Sequence, residues 1–214
     1  MMFKDRADAG EKLAASLKKT LSSTESKKLV VLSLLQGGAP VGEIIARKYN
    51  VIHLPLPVSK ISSSFNPELA IGALCFEYVF TDPQIVRMEG LTPVKIREQI
   101  QKAQIKFESY LTRFGIEKNM YRRLKENVII LVDDGIATGA TVKAAYLFIR
   151  STKPKRVILA VPGALAHFDT KEFDEEVILV KSAQFNSVSQ FYESFPQVTD
   201  EEVKNYFSLQ NIPG

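Results

Sequence analysis

The chain has 214 residues, enough for one large domain or two small ones with a substantial core. Hydrophobic residues make up 45% and charged residues 24%, the composition of an ordinary globular protein, and the net charge of +4 is mild. No apolar run approaches the roughly 20 residues that span a membrane.

The first ten residues lack the apolar core of a signal peptide, so we expect a cytoplasmic protein. Cys75 is the single cysteine, cannot form an internal disulfide and is expected to be a small buried hydrophobe. His53 and His167 are the two histidines, and their spacing predicts no metal site.

The first third of the chain alternates helix and strand patterns. Residues 4–21 form an amphipathic pattern, and residues 27–35 predict a buried strand. The sequence QGGAP then breaks the strand, and Pro40 suits the first turn of a helix. Residues 51–58 alternate and contain two prolines, which predicts a strand near a sheet edge.

The middle of the chain is more varied. Residues 59–67 are polar and rich in turn formers, so we expect a mobile loop. Residues 68–80 suit short antiparallel strands better than a helix, because they are apolar with an internal glycine. Residues 91–114 predict the longest helix, with Thr92 as its N-cap and Pro93 at its first position.

Residues 128–132 are five consecutive aliphatics, typical of a strand covered on both faces. A helix is predicted from near Thr141, and two further core strands from residues 155–164 and 175–180. Residues 198–207 predict a last helix with a capping box at its start. This order indicates a single doubly wound α/β domain over residues 1–214.

Asp133 and Asp134 follow the 128–132 strand directly, at the end where open α/β sheets bind ligands. The loop 137–141 can turn backbone N–H groups and two threonine hydroxyls toward a phosphate. Each carboxylate can accept a charge-assisted hydrogen bond from a sugar hydroxyl, worth about 1.5–3 kcal/mol. The pattern therefore indicates a ribose 5-phosphate site, with an ordinary capping turn as the alternative; P-loop and dinucleotide fingerprints are absent from the sequence.

Residues 129–141, IILVDDGIATGAT, resemble the phosphoribosyl pyrophosphate (PRPP) signature of the type I phosphoribosyltransferases. Residues 3–17, 34–46, 65–73 and 185–203 resemble a poorly characterised branch of that family whose acceptor is unknown. The resemblance implies a doubly wound, mainly parallel sheet flanked by helices. It also implies a small variable hood, expected from the N-terminal helix and residues 161–195.

The resemblance further implies the residues of a PRPP site. The catalytic residues would be Asp133 and Asp134, which hold the ribose hydroxyls, and Lys60, a cation of the loop that closes over PRPP. The substrate-binding residues would be Gln36, Gly37, Gly38, Ser59, Lys60, Asp133, Asp134, Gly135, Ala137, Thr138, Gly139, Ala140 and Thr141. Mg²⁺ would arrive bound to PRPP, with Asp133 or Asp134 touching it through water, and no direct protein ligand is assigned.

The implied reaction transfers 5-phosphoribosyl from PRPP to a nitrogen heterocycle, as in nucleotide metabolism. Ala137 stands where hypoxanthine-using relatives have an acid–base aspartate, whereas adenine-using and orotate-using relatives also have alanine. Close relatives have arginine at Gln36 and arginine-lysine at Ser59 and Lys60, so cations near the pyrophosphate are missing. This departure puts turnover in doubt more than binding.

Two alternatives therefore stay open: a non-catalytic PRPP sensor, and a hydrolase acting on PRPP or a nucleotide. Residues 95–126 hold nine basic against four acidic residues, which a nucleic-acid-binding sensor would use, although a solvated helix surface explains them better. We expect PRPP and a base as partners, a homodimer, and neither membrane nor nucleic acid. Phe185, Phe191 and Tyr192 are candidates for stacking on the base or for the core, and His167 for facing the site.

Overall fold

Five parallel strands form a central sheet in the order β2-β1-β6-β7-β8. The computed structural model describes residues 2–22, 28–67, 69–166, 168–169 and 171–208. The strands of this sheet are β1 (Leu29–Leu34), β2 (Ile52–Leu56), β6 (Val128–Val132), β7 (Arg156–Leu165) and β8 (Glu175–Ser182).

The chain divides into two units, and the sheet belongs to the first, which holds residues 1–56, 123–137 and 153–214. Its helices are α1 (Arg6–Leu17), α2 (Gly38–Tyr49) and α6 (Asp200–Ser208). Alternate residues of β1, β6 and β7 pack against the apolar faces of α1 and α2. Every residue of β6 is buried, as its run of aliphatic residues predicts.

The order of the strands reverses between β1 and β6. From β1 the chain moves outward to β2 at one edge, and β6 then pairs with the opposite side of β1. This reversal makes a topological switch point, and open α/β sheets bind ligands beyond the carboxyl ends of the two strands that flank it. The fold thus directs attention to the loops after β1 and β6.

The second unit holds residues 57–122 and 138–152. Its antiparallel sheet has the order β3-β4-β5, and its apolar core joins that sheet to helix α4. Its elements are β3 (Ser59–Ser62), β4 (Ala70–Cys75), β5 (Tyr78–Thr81), α3 (Pro83–Met88), α4 (Pro93–Phe114) and α5 (Ala140–Ser151). The single domain predicted over residues 1–214 stays a prediction, since the chain divides into these two compact units.

Many local predictions are confirmed. Strand β2 lies at a sheet edge, β4 and β5 are antiparallel, and Thr92 caps the long helix α4. Thr199 and Glu202 exchange the hydrogen bonds of a capping box at the start of α6. Cys75 is buried, and burial raises the pKa of its thiol well above the ordinary value. Among the helices of the described ranges, none is long and apolar enough to cross a membrane.

The prediction of a loop over residues 59–67 is wrong for its first four residues. Ser59–Ser62 form the edge strand β3, in which Ser59 and Ile61 point inward while Lys60 points outward. Because the inward residue Ser59 is polar, the alternation of apolar and polar residues that marks a strand is not visible in the sequence. The predictions also missed α3, although Asp82 before Pro83 is a good N-cap signal. Helix α1 is shorter than expected: Asp5 caps its start, so it begins at Arg6, and it ends at Leu17.

A buried polar chain links β1, β2 and α2. The hydroxyl of Ser33 is 2.7 Å from His53 Nε2, and His53 Nδ1 is 3.4 Å from a carboxylate oxygen of Glu43. Burial lowers the pKa of His53 even though Glu43 acts in the opposite direction. A neutral His53 then accepts from Ser33 and donates from Nδ1 to Glu43.

This arrangement predicts a loss of stability in acid. The pKa of His53 is lower in the folded chain than the ordinary value of about 6.5, so the unfolded chain binds the extra proton as the pH falls. Between pH 7.5 and 5.5 the native chain should lose about 1 kcal/mol more unfolding free energy than His53→Gln. Urea unfolding at both pH values measures this difference. Equal losses in the two proteins would contradict the assignment.

Candidate functional site

Two loops meet at the switch point of the central sheet. Strands β1 and β6 are parallel neighbours, with Ser33 opposite Val132, so they end at the same edge. Gln36, Gly37 and Gly38 follow β1, and Asp133 follows β6. The structure therefore brings together the predicted pyrophosphate loop and the predicted ribose carboxylates.

Gly37 and Gly38 are required because this loop lies directly against the end of β6. A Cβ atom on Gly37 would come within 2.5 Å of the carboxylate carbon of Asp134. A Cβ atom on Gly38 would lie 2.8 Å from the carbonyl oxygen of Val132. Both distances are too short for real Cβ contacts, so the contact between the two loops itself excludes side chains at these positions, in addition to any anion that the sequence predicts there.

Gln36 occupies the left-handed region, with φ 66°, which is unfavourable for a residue with a side chain. Its carbonyl oxygen accepts a hydrogen bond from the N–H of Ala39 at 3.1 Å and so starts the turn into α2. Backbone strain of this kind persists where the surrounding structure holds it, and it is often found at functional sites.

Asp133 turns its side chain toward the backbone of the next residue. Its Oδ1 accepts a hydrogen bond of 2.9 Å from the N–H of Asp134. The residue is partly exposed, whereas Asp134 is buried. The two adjacent carboxylates therefore have different surroundings, although the sequence presents them as an equivalent pair.

Asp134 forms a buried ion pair with Arg6 of α1. Arg6 Nε donates to Asp134 Oδ2 at 2.8 Å, and the two side chains are only 10% and 12% exposed. Sequence reasoning missed this residue. A signal was present, because Arg6 lies on the same face of α1 as the buried Leu13 and Leu17, and a charge on a core face requires a buried partner.

The segment after β8 completes the surroundings of Asp134. The hydroxyl of Tyr192 donates to the backbone carbonyl oxygen of Asp134 at 2.5 Å. Burial, and then the negative charge of Asp134, raise the pKa of Tyr192, so it stays a protonated donor. Phe191 and Tyr192 are buried with Phe3, which confirms the core alternative for both, while Phe185 is partly buried against them. His167 lies outside the described residues.

The loop after Asp134 is fixed by β7 and by the same apolar cluster. Ile136 exchanges backbone hydrogen bonds with the chain of β7, donating to Gly163 and accepting from Leu165. A Cβ atom on Gly135 would lie 2.5 Å from a methyl carbon of Val188, so only glycine fits there. Ala137 packs against the apolar cluster that includes Phe3 and Phe191.

In the second unit this loop continues into α5 through Thr138, Gly139, Ala140 and Thr141. Gly139 has φ 80° and precedes the first residue of the helix. The N–H of Ala140 donates to the hydroxyl of Thr138 over 3.5 Å. Lys60 is exposed on β3, while the buried hydroxyl of Ser59 has no hydrogen-bond partner within the described part of the chain.

Two of the six described helices begin differently from the others. Helices α2 and α5 begin after Gly37 and Gly139, which have no side chain to cap the helix. The other four have an N-cap side chain that accepts a backbone N–H: Asp5 in α1, Asp82 in α3, Thr92 in α4 and Thr199 in α6. A helix start without a side-chain N-cap leaves backbone N–H groups for an anion; at α5 one of them, that of Ala140, already has the distant Thr138 hydroxyl as an acceptor.

Comparison with known proteins identifies the family. A family model described as phosphoribosyl transferase domain matches residues 3–193. The chain therefore belongs to the phosphoribosyl transferase domain family, which confirms the family predicted from the sequence.

Two Mycobacterium tuberculosis proteins, MT0597 and Rv0571c, are provisionally named phosphoribosyl transferases. Each is 35% identical to this chain over 207 residues, which is 94% of this chain and 45% of the relative. The chain thus spans about half the length of the curated relatives it matches.

Among solved structures, TT1426 from Thermus thermophilus has a TM-score of 0.71 at 30% identity, covering 97% of this chain and 98% of that chain. A hypothetical protein from Neisseria gonorrhoeae with bound ppGpp has a TM-score of 0.52 at 8% identity, with the same coverage of both chains. The second likeness shows the fold alone. The predicted fold, a mainly parallel sheet flanked by helices, is confirmed.

The packing of Gly37 gives a prediction. In Gly37→Ala the new methyl group must displace the Asp134 carboxylate, so the variant should unfold about 1–3 kcal/mol more easily and should weaken binding at the predicted ribose 5-phosphate site. Denaturant unfolding and calorimetry measure the two effects. Gly115→Ala is the matched control: its φ of 61° also makes alanine costly, but nothing lies within 4 Å, so binding should persist. Unchanged binding by Gly37→Ala would contradict the account.

Proposed function

We propose that this chain transfers the 5-phosphoribosyl group of PRPP to a nitrogen heterocycle of the purine or pyrimidine type and releases pyrophosphate. The observation that carries the proposal is the meeting of the Gly37–Gly38 turn with Asp133 and Asp134 at the switch point of the sheet. Family membership supports the same reaction class.

The sugar would be held by its diol and its phosphate. Asp133 and Asp134 would accept hydrogen bonds from the ribose hydroxyls, each worth about 1.5–3 kcal/mol. The N–H groups and hydroxyls of residues 137–141 would bind the 5-phosphate, and the start of α5, which lacks an acidic residue, supports that role. Residues 36–38 would bind the pyrophosphate at the start of α2.

The residues present fit Mg²⁺ that arrives with PRPP. Within the described ranges, no three His, Cys, Asp or Glu side chains form a group that would hold a metal by themselves. Mg²⁺ usually keeps several waters and binds through one or two carboxylates plus phosphates, and Asp133, which is partly exposed, suits a water-mediated contact. When bound, the ion would neutralise charge on the departing pyrophosphate.

In the reaction, the bond between the anomeric carbon and the pyrophosphate oxygen breaks, and the oxygen keeps the electron pair. A ring nitrogen of the acceptor supplies the pair for the new bond from the opposite face, with inversion. Positive charge develops on the anomeric carbon and ring oxygen, and the fixed carboxylates of Asp133 and Asp134 hold the sugar while it does so. Ala137 offers no proton acceptor, so an acid or base must come from elsewhere.

The hood belongs to the same proposal. Helix α1, through Arg6, and the segment 185–196, through Tyr192 and Phe195, both contact the Asp134 side of the first unit. These contacts support the N-terminal helix and residues 185–195 of the predicted hood; residues 161–165 and 175–182 of the predicted range are strands of the central sheet. The proposal that Ser59 and Lys60 act on the pyrophosphate rests on the sequence resemblance alone: Lys60 is exposed on β3, whereas Ser59 is buried, with no hydrogen-bond partner for its hydroxyl among the described residues.

One assay separates this proposal from its rivals. PRPP and Mg²⁺ are incubated with the protein and a panel of purine and pyrimidine bases, while pyrophosphate and nucleotide are measured together. Equal amounts of both products are expected with one base. Pyrophosphate without nucleotide would indicate a hydrolase. Tight PRPP binding with neither product would indicate a sensor, and no binding would remove the PRPP assignment altogether.

Gln36 gives a second test. Gln36→Arg places a cation beside the proposed pyrophosphate position. The backbone strain at φ 66° should be the same in both proteins, because both residues have a Cβ atom. A single charge-assisted hydrogen bond to the leaving group predicts an increase in kcat of roughly tenfold or more. Gln36→Met, of similar length and no charge, is the control and should not exceed the native rate. An unchanged or lower kcat for Gln36→Arg would contradict the charge account.

A further inference from the structure

We infer that Arg6 is a positioning residue for Asp134: it holds that carboxylate turned in one direction, and so sets the affinity for the diol of a sugar phosphate. The inference rests on the proposed function. It adds a residue from a helix that the PRPP signature does not include.

Arg6 lies on the buried face of α1, so its charge does not serve to keep the surface of the protein soluble. Its residue surface is 9% exposed, and its neighbours on the same face of α1 are Ala9, Leu13 and Leu17, all buried. Placing a guanidinium among apolar residues is costly unless a partner compensates it, and an apolar pair of similar volume is often as stable. A buried ion pair is therefore weak support for a purely stabilising role.

Three contacts fix the guanidinium group. Nε donates to Asp134 Oδ2 at 2.8 Å, and Nη1 donates to the carbonyl oxygen of Pro196 at 2.6 Å. The plane also lies over the ring of Phe195, with 3.7 Å between the central carbon and the ring centroid. Arginine can make these three contacts at once because its donors form a rigid planar fork that also stacks on aromatic rings.

The same carboxylate oxygen also lies against Gly37. A Cβ atom on Gly37 would come 2.1 Å from Asp134 Oδ2, so the two residues are packed directly together. Oδ2 is thus engaged by Arg6 and packed on Gly37, so the carboxylate plane has little freedom to rotate. Tyr192 holds the backbone of Asp134 through its carbonyl oxygen. A sugar hydroxyl then meets an acceptor whose direction is already set, which lowers the ordering cost of binding.

Charge gives Arg6 a second effect. The charged and titratable groups around the pair include Asp133 directly after β6, Tyr192 after β8, and Glu202 and Tyr206 on α6. The guanidinium of Arg6 is the positive charge in direct contact with the Asp134 carboxylate. An ionised carboxylate accepts a stronger hydrogen bond from a hydroxyl than a neutral carboxyl group does.

The alternative is that Arg6 competes with the sugar, because its guanidinium occupies the position on Asp134 that the diol would use. The contacts to Pro196 and Phe195 argue against it, because they hold the guanidinium on the side of α1 independently of Asp134. A competitor should be displaced when the sugar binds, whereas a positioning residue should stay. The two roles predict opposite changes in affinity when Arg6 is replaced.

The test compares two ligands in four proteins. Ribose 5-phosphate and 2,3-dideoxyribose 5-phosphate differ only in the two hydroxyls, so the ratio of their Kd values reports the diol contacts and not the phosphate. Calorimetry measures both ligands for the native chain, Arg6→Gln, Arg6→Lys and Lys12→Gln. Lys12 forms a partly exposed ion pair with Asp8 on the same helix, which makes it the matched control.

We expect the native chain to prefer ribose 5-phosphate by about tenfold or more. Arg6→Gln should reduce that preference to under about threefold, Arg6→Lys should fall between the two, and Lys12→Gln should match the native chain. A preference that is unchanged or increased in the Arg6 variants would overturn the inference. If Arg6→Gln does not fold, as loss of a buried partner can cause, Arg6→Lys retains the charge and decides the outcome.

Failure of the proposed function is recognised separately. A native chain that binds both ligands equally would remove the diol assignment itself, whatever the Arg6 variants do. A native chain with a clear preference that persists in Arg6→Lys and Arg6→Gln would keep the diol site and remove Arg6 from it. The affinity for 2,3-dideoxyribose 5-phosphate should stay the same in all four proteins, because the phosphate contacts do not involve Arg6.

Discussion

The parallel pairing of β1 with β6 is the constraint on which the candidate site depends. These strands lie side by side at the point where the order of the sheet reverses, so the loops that follow them have to leave in the same direction. The two loops come so close that neither Gly37 nor Gly38 can carry a Cβ atom. Distant parts of the sequence are thereby joined into one site by strand pairing alone.

Charge at the end of a buried sheet is unfavourable, and the surrounding residues compensate for it at Asp134. The carboxylate is paired with Arg6, its carbonyl oxygen accepts from Tyr192, and its oxygen atoms pack on a glycine. Asp133, by contrast, is partly exposed and bonded to the backbone beside it. Of two adjacent identical residues, one is thus held rigidly by tertiary contacts and the other remains closer to solvent.

The starts of the helices show the same division between stability and binding. Four helices begin with an N-cap side chain that satisfies a backbone donor, whereas α2 and α5 have glycine at the N-cap. A glycine N-cap costs only a few tenths of a kcal/mol relative to Ser, Asp or Asn, and no side chain fits at Gly37. These two glycine starts lie where the proposed phosphates would bind, and the chain also tolerates the left-handed backbone of Gln36 there.

The sequence by itself determined the elements whose signals are local. Five aliphatics fixed β6 as a buried strand, Thr92 and Pro93 began α4, and the glycine-bounded signature after β6 identified the family. Only the tertiary structure decided that Ser59–Ser62 form an edge strand, because that depends on pairing with β4. It also decided the partner of Asp134, since Arg6 is 128 residues away in the chain and becomes its neighbour only when α1 packs in the first unit. Local patterns report propensity and burial, whereas the choice of a partner depends on contacts that the folded chain alone creates.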